Sequence, residues 1–462
     1  MKRIPVIAIF DIGKTNKKLL LLNKTYKLVY EESEQLAETK DEDGFPCEDV
    51  IALTNFIKES FNKILKDKRY EIRAVNFTAY GASFVYLDES LNVILPLYNY
   101  LKPFPGELKE KFYNIYGGEK YFTRKTASPV LGNLNSGMQL YRIKHENPEM
   151  FAKIKCALHL PQYVSFILSG KIYSDITSVG CHTNLWDFQN NKYHFWVEEE
   201  GLKNKLPPII NSEAIAANIN GTLPAGVGLH DSSAALIPYL ISFTEPFILI
   251  STGTWCITLN PFNDEPLTDH ELQQDCLCYL SYKGNAVKAS RLFAGYKHEQ
   301  QVKKLSELFG KPLDYYKTVE YDLNMLQTIV SVTHDVKFGE NDELPQRSDF
   351  SSRDLNSFNS YEKAYHQLIE DIIAQQLRST NLVLLGTKCK RIFVDGGFSN
   401  NPVYMNLLAK AFPGMEVYAA SVPQASALGA ALAFHQHWNS RPLPSDIIEL
   451  KYYTTKQATL TS

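Results

Sequence analysis

The chain has 462 residues, 44% hydrophobic and 21% charged, and 48 basic against 51 acidic side chains leave a net charge of −3. That is the composition of an ordinary globular protein with room for two or three domains, and it argues against a basic nucleic-acid-binding face. No apolar run of about 18 residues would span a bilayer. The apolar run at the N-terminus is too short for a signal peptide, and the seven scattered cysteines form no CxxC pair. The expectation is a reduced cytoplasmic protein with no nucleic-acid or membrane partner.

In chain order, Val6–Phe10 reads as a strand and Leu19–Leu22 as its antiparallel return. The turn between them carries Asp11, Gly13, Lys14, Thr15 and Asn16. Gly13 gives a ligand room to approach the backbone. Thr15 offers a hydroxyl, Lys14 or Lys17 a cation, and Asp11 a hard oxygen for Mg²⁺. Asp49–Leu65 has helical spacing. Ile72–Ala79 is a strand running into Tyr80-Gly-Ala-Ser83, a glycine turn beside aromatics. Pro96–Pro105 is loop. Ser128–His145 supplies Asn133, Asn135, Gln139 and Arg142, hydrogen-bonding groups suited to a polyhydroxylated ligand. Ala157–Leu168 reads as a buried helix ending at Gly170. Ser174–Gly180 is an Asp-containing turn, Trp186-Asp187 a short strand or loop, and Trp196–Gly201 a helix.

Leu223–Leu236 is a glycine-bounded turn that carries His230 and Asp231 into an apolar helix, Ser232–Leu240. A carboxylate at a helix start is well placed to take a proton from a hydroxyl. Standing alone, it reads as a cap. Phe247–Ser251, the turn Thr252-Gly-Thr254 and the returning Trp255–Leu259 repeat the design of the first hairpin, roughly half a chain length later. This points to a duplication: two domains, each opening on a hairpin whose Gly-x-Thr turn faces a shared cleft. Asn285–Ala289 is a strand and Glu299–Phe309 a helix. Val336–Asn356 reads as loop, with Asp342–Ser352 its most mobile part. Tyr361–Leu385 is a long amphipathic helix. Arg391–Val394 is a strand entering Asp395-Gly-Gly-Phe-Ser-Asn-Asn401 before the helix Pro402–Phe412. Strand, Gly-Gly turn and helix N-terminus form a cradle for a nucleotide. Val417-Tyr418 is a strand, and Ala425–His435 is a small-residue helix able to pack closely on a sheet.

Asp11-Ile-Gly-Lys-Thr15, Gly228-Leu-His-Asp231, Ser251-Thr-Gly-Thr254, Asp395–Asn401 and Pro423–Gly429 together resemble the FGGY family of carbohydrate kinases, within the actin-like and Hsp70-like ATPase superfamily. The resemblance covers essentially the whole chain. It implies an α/β fold of two actin-like, ribonuclease H-like domains, each with a central mixed sheet, and a cleft between them. The implied division is 1–243 for sugar, phosphate and the catalytic residue, 244–450 for nucleotide, and 451–462 as a tail. It implies ATP and Mg²⁺, a sugar as partner, and leaves homodimerisation open. By resemblance, Asp231 is the catalytic base and Asp11 the metal residue. Gly13, Lys14, Thr15 and Asn16, with Thr252, Gly253 and Thr254, hold phosphates. Gly396, Gly397 and Asn401 hold adenosine. Tyr80, Gly81, Ser83, Asn135, Gln139, His230 and Asp231 contact the sugar. The His-Asp-x-x-x-Ala segment with Thr252-Gly-Thr-Trp255 looks most like rhamnulokinases and fuculokinases, which implies a ketose such as L-rhamnulose or L-fuculose. Departures at Gln139-Leu-Tyr-Arg142, Gly81-Ala82 and Phe293–Tyr296 fall on the sugar side. They leave open a pentulose, polyol or glycerol as acceptor. A nucleotide-switched actin-like or Hsp70-like binding protein is the alternative outside sugar kinases.

Overall fold

A computed structural model describes residues 3–331 and 349–454. These form two compact units. The first comprises the chain as far as Ser242, with Cys278–Ala286 and Pro423–Ile447. The second comprises Phe243–Leu277, Val287–Val422 and the chain from Ile448.

In the first unit, β1 (Ile4–Ile12), β2 (Lys17–Asn23) and β3 (Leu28–Glu34) form an antiparallel meander. Helix α1 (Val50–Lys66) follows, capped by Asp49, whose carboxylate accepts from Ile51 and Ala52 N–H at 2.9 Å. Strand β4 (Tyr70–Ala79) then lies parallel to β1. After α2 (Leu160–Ser169) come β5 (Ile215–Ile219), β6 (Leu223–Gly226), β7 (Leu229–His230) and α3 (Asp231–Ser242). The sheet order is β5-β6-β4-β1-β2-β3, with β7 also on β4. Val6–Phe10 is wholly buried. A strand covered on both faces reads as a continuous apolar run, with no alternation. Phe10 meets Phe56 of α1 edge-on at 6.4 Å.

The second unit repeats the plan. Strand β8 (Phe247–Thr252) pairs antiparallel with β9 (Cys256–Asn260). Then follow β10 (Cys276–Leu280), whose last three residues fall in the first unit, β11 (Ala286–Leu292), α4 (Ala294–Phe309) and α5 (Tyr361–Leu384). Strand β12 (Arg391–Gly396) lies parallel to β8, as β4 does to β1. Helix α6 (Pro402–Ala411) leads to β13 (Glu416–Ser421). The order is β10-β11-β9-β8-β12-β13-β14, β14 being Glu449–Tyr453. Both sheets are mixed, and each begins with a hairpin whose first strand finds a parallel neighbour later in the chain. The duplication read from the two turns therefore extends to topology.

Helix α7 (Ala425–Ala433) belongs to the first unit, although it follows β13 of the second. It packs on α3 so closely that a Cβ on Gly429 would lie 1.8 Å from Ala234 O. Asn76 of β4 donates to its Ala430 carbonyl at 2.8 Å. Strand β14 (Glu449–Tyr453) pairs with β13, so the start of the expected tail is an edge strand.

Several expectations need correction. Ala157–Leu168 is not one helix: Cys156–His159 is a strand paired with Phe84–Leu87, and α2 starts at Leu160, before Pro161. A short apolar run does not distinguish strand from buried helix. Helix α4 begins five residues before Glu299, and strand β10 gave no periodic signal. Of the loop expected at Val336–Asn356, 336–348 lie outside the described residues. Phe350–Ser352 and Leu355–Ser357 are short 3-10 turns.

Candidate active site

Strand register brings two carboxylates to one end of the first sheet. Asp11 of β1 is level with Thr78 of β4, which is level with Leu229 of β7. Asp231 follows His230 and opens α3. Both acids thus leave the carboxyl ends of strands that run parallel to β4 on either side of it, where open α/β sheets place ligands. The segment before Asp231 is fixed from α2 and from a nearby turn. Gln162 donates to Gly228 O at 2.8 Å, and Ser165 to Gly226 O at 2.7 Å. The Thr177 hydroxyl accepts His230 N–H at 2.9 Å and itself bonds Asp175. Gly228 has φ +86°, and a Cβ there would lie 2.4 Å from Pro161 O, so glycine is required.

Asp231 accepts its own helix N–H from Ser232 at 2.6 Å and lies 3.3 Å from His230 Nε2. No lysine or arginine pairs with it among the described residues. Burial pushes its carboxyl up to about 6, against the Ser232 hydrogen bonds, although a third of the side chain reaches solvent. At pH 7 it is mostly ionised and holds free lone pairs. Burial pulls His230 down to about 3, so the imidazole is neutral and its contact with Asp231 is no ion pair. Burial also raises Asp11 to about 6; the Ser426 hydroxyl, at 2.8 Å, opposes this, and the Asp231 charge adds to it.

The remaining first-unit candidates divide sharply. Gly13 N–H bonds Asn16 O at 2.9 Å and closes the turn, leaving Thr15 and Asn16 exposed. Lys14 bonds Glu38 and Glu48 at 3.2 and 3.5 Å, and buried Lys17 bonds Glu48 at 3.0 Å. These carboxylates hold the two lysines expected to face phosphate; Lys18, paired across the strands with Asp11, is the lysine that feels Asp11. Gly81 touches the site: a Cβ there would meet the His230 ring at 2.9 Å. Tyr80 lies beside Tyr100, with ring centroids 6.1 Å apart. Ser83 is buried just beyond that turn.

Asn135 and Gln139 do not present free amides. Asn135 donates to Ser128 Oγ and His182 O and accepts from Leu131 N–H. Gln139 donates to Ala82 O and Asn133 O, both at 2.7 Å. Their polar atoms are saturated within the protein, so direct sugar contact gives way to holding loops. Gln139 braces the turn at Ala82, whose φ is +61°. Sequence reading missed Ser426, Lys18, Tyr100 and Tyr279. Tyr279 stacks on His230 at 5.7 Å, and burial with the Asp231 charge raises Tyr100. Pairing register could have flagged Lys18; the others come from distant segments.

The second unit holds a cavity of about 580 Å³. The Thr252 hydroxyl links its two turns: it bonds Asp395 O and accepts Phe398 N–H at 3.0 Å. Gly396 has φ +80°, and a Cβ would sit 1.9 Å from Thr252 O. At Gly295 a Cβ would sit 1.8 Å from Gly253 O. Gly397 opens on free space, and Gly253 nearly so. Thr254 is exposed at the turn, and its carbonyl accepts Tyr296 N–H at 3.0 Å. Asn401 lines the cavity, but its amide caps α6 and bonds Tyr365, so the side chain is a wall support. Gly295, His298, Tyr316 and Lys317 also line it and were not anticipated.

Residues 6–235 match the N-terminal domain of the FGGY family of carbohydrate kinases, and 354–435 match its C-terminal domain. The chain belongs to the FGGY family. A rhamnulokinase from Oceanobacillus iheyensis is 24% identical over 205 residues, 41% of this chain and 42% of that one. This chain spans about half the length of the curated rhamnulokinases it matches. The solved carbohydrate kinase from Novosphingobium aromaticivorans superposes with a TM-score of 0.77 at 19% identity, covering 98% and 95% of the two chains. The ligand-bound xylulose kinase from Lactobacillus acidophilus gives 0.78 at 18%, covering 98% and 94%. These likenesses establish the two-domain actin-like fold.

The residues of this FGGY chain fit a nucleotide and a hydrated magnesium ion. The glycine-walled cavity exceeds 300 Å³, the lower range for small-molecule sites, and its open glycines admit a close-lying chain of phosphates. Asp11 is a buried carboxylate facing a second negative charge, an arrangement a cation relieves. No cluster of three metal-type ligands exists among the described residues. Mg²⁺ held by one carboxylate, phosphates and water needs none. No helix among the described residues is long and apolar enough to cross a membrane.

Proposed function

We propose that the protein is an ATP-dependent sugar kinase that transfers the γ-phosphate to a primary hydroxyl of a ketose. The observation carrying this reading is Asp231: a desolvated carboxylate, free of cations, with its pKa moved up to about 6 and a neutral imidazole beside it. A base of that strength accepts a hydroxyl proton as the bond to phosphorus forms. The acceptor oxygen attacks the γ-phosphorus, the bond to the β–γ bridging oxygen breaks, and ADP departs. Positioning and charge stabilisation supply most of the rate.

In this reading the first unit binds the acceptor and the second the nucleotide. Asp11 would hold Mg²⁺ directly or through water, and the ion would supply neutralisation of phosphate charge. Gly253, Gly396 and Gly397 let the nucleotide lie against the backbone. Support for a 6-deoxy-ketose such as L-rhamnulose or L-fuculose comes from the rhamnulokinases among the relatives and from the Tyr279 ring stacked on His230, which suits a methyl-bearing sugar. The test is ADP release with a panel of 6-deoxy-ketoses, pentuloses, polyols and glycerol. Stimulation by a deoxy-ketose above all others supports the full reading. Preference for xylulose or glycerol retains the kinase and overturns the ketose assignment; no stimulation by any sugar overturns both.

A further inference from the structure

Three hydrogen bonds in the second unit fix the protonation of a histidine on the cavity wall. Asn401 Oδ1 accepts the Tyr404 N–H at 3.0 Å, so Nδ2 is the atom that donates to the Tyr365 hydroxyl at 2.6 Å. Tyr365 is fully buried, and its own hydroxyl hydrogen needs an acceptor. His298 Nε2 lies 2.9 Å away. Nε2 therefore accepts, and the imidazole proton sits on Nδ1. Burial holds the ring neutral, its pKa pulled down to about 4. Nδ1 has no hydrogen-bond partner among the described residues, though only 7% of His298 is exposed. The ring stands edge-on to Phe398 at 5.2 Å and to Tyr316 at 4.9 Å, two other cavity residues. It is an oriented donor waiting for an acceptor.

We infer that His298 reads the nucleoside of the bound nucleotide, its Nδ1–H donating to an acceptor atom of the purine or the ribose. The inference rests on the nucleotide reading of this cavity. A neutral donor between aromatic rings suits a heterocycle nitrogen or a sugar oxygen; a phosphate is better met by the backbone N–H groups of the glycine turns. Tyr365 and Asn401 act behind it as positioning residues, because together they set which nitrogen carries the proton.

The test is calorimetric titration of the full chain with ATP, with its 1-, 3- and 7-deaza analogues, and with 2′- and 3′-deoxy-ATP. His298→Phe should weaken ATP binding about tenfold, while His298→Asn, whose amide can stand where Nδ1 stood, recovers most of the loss. Tyr365→Phe, which frees the tautomer without touching the ligand, should weaken binding about threefold. One analogue should bind wild type weakly yet lose nothing more in His298→Phe, because the same contact is already gone. A deaza analogue in that role identifies the base as acceptor, and a deoxy analogue identifies the ribose; either supports the inference. Unchanged ATP affinity in a folded His298→Phe, or equal losses for every ligand, overturns it. Wild-type protein that binds no ATP overturns the nucleotide reading itself, a separate result.

Discussion

The two hairpins that open the units share topology and differ in chemistry. The first turn is crowded with charge: Asp11, Lys14, Lys17 and Lys18, with Glu48 and Glu38 drawn in from neighbouring strands. The second, Thr252–Trp255, carries none. It relies on one hydroxyl and on Gly295 and Gly396 set against the Gly253 and Thr252 carbonyls. Under the proposed function one scaffold would serve two purposes: side chains titrate where a proton and a metal would be handled, and are absent where a nucleotide would be cradled.

The largest effect expected from breaking this contrast is at Asp231. Asp231→Asn should lower kcat by about 100-fold or more with little change in ATP affinity, since the carboxylate acts on a proton in the transition state. Steady-state kinetics giving near-normal turnover would remove Asp231 as the base. Next is the glycine side. Gly396→Ala places a Cβ against the Thr252 carbonyl at a left-handed φ. ATP affinity should fall about tenfold or more by calorimetry, because strain of about 1–2 kcal/mol and a displaced turn act together. Gly397→Ala, opening on free space, should leave stability unchanged and weaken ATP binding only through its methyl standing where the nucleotide lies.

Proton linkage gives an intermediate effect with opposite signs for activity and stability. Asp11 and Asp231 both ionise near 6, above their unfolded value. Below pH 6 the base is protonated, so kcat/KM should fall on an acid limb near 6. Between the unfolded and folded values the native state binds more protons, so stability rises as pH falls through 6. Asp231→Asn should therefore melt higher than wild type at pH 7, and the gap should narrow at pH 5. A mutant that melts lower at pH 7 would show that the carboxylate is not strained by burial. The smallest effect is expected at Lys14. It is already bonded to Glu38 and Glu48 at a partly exposed site, so Lys14→Met should change stability by under about 1 kcal/mol and ATP affinity only a few-fold. A large loss of ATP affinity would mean the lysine leaves its carboxylates for phosphate.

The sequence displayed what is local. Val6–Phe10, the turn at Gly13, the helix expected over Asp49–Leu65 and the strand-turn-helix at Arg391–Phe412 follow from neighbouring residues, and the structure has them with shifts of a residue or two at their ends. It concealed what depends on distant partners. Asn135 and Gln139 look like ligand contacts until Ser128, His182, Ala82 and Asn133 saturate them. Lys14 looks like a phosphate cation until Glu48 arrives from another strand. Tyr279 stacks on His230 from nearly fifty residues away, and no local pattern announces it.

Ser426 sits on α7, as does the glycine that lets this helix press against the start of the Asp231 segment. The surroundings of Asp11 are consequently incomplete while the ribosome is still making the second unit. A nascent first half has its sheet but not the Ser426 hydroxyl that bonds Asp11, nor the cover over α3. Fragments cut at Ser242 should accordingly rejoin into working protein only when the second piece carries Pro423–Ile447, so the order of synthesis itself defers competence until both halves exist.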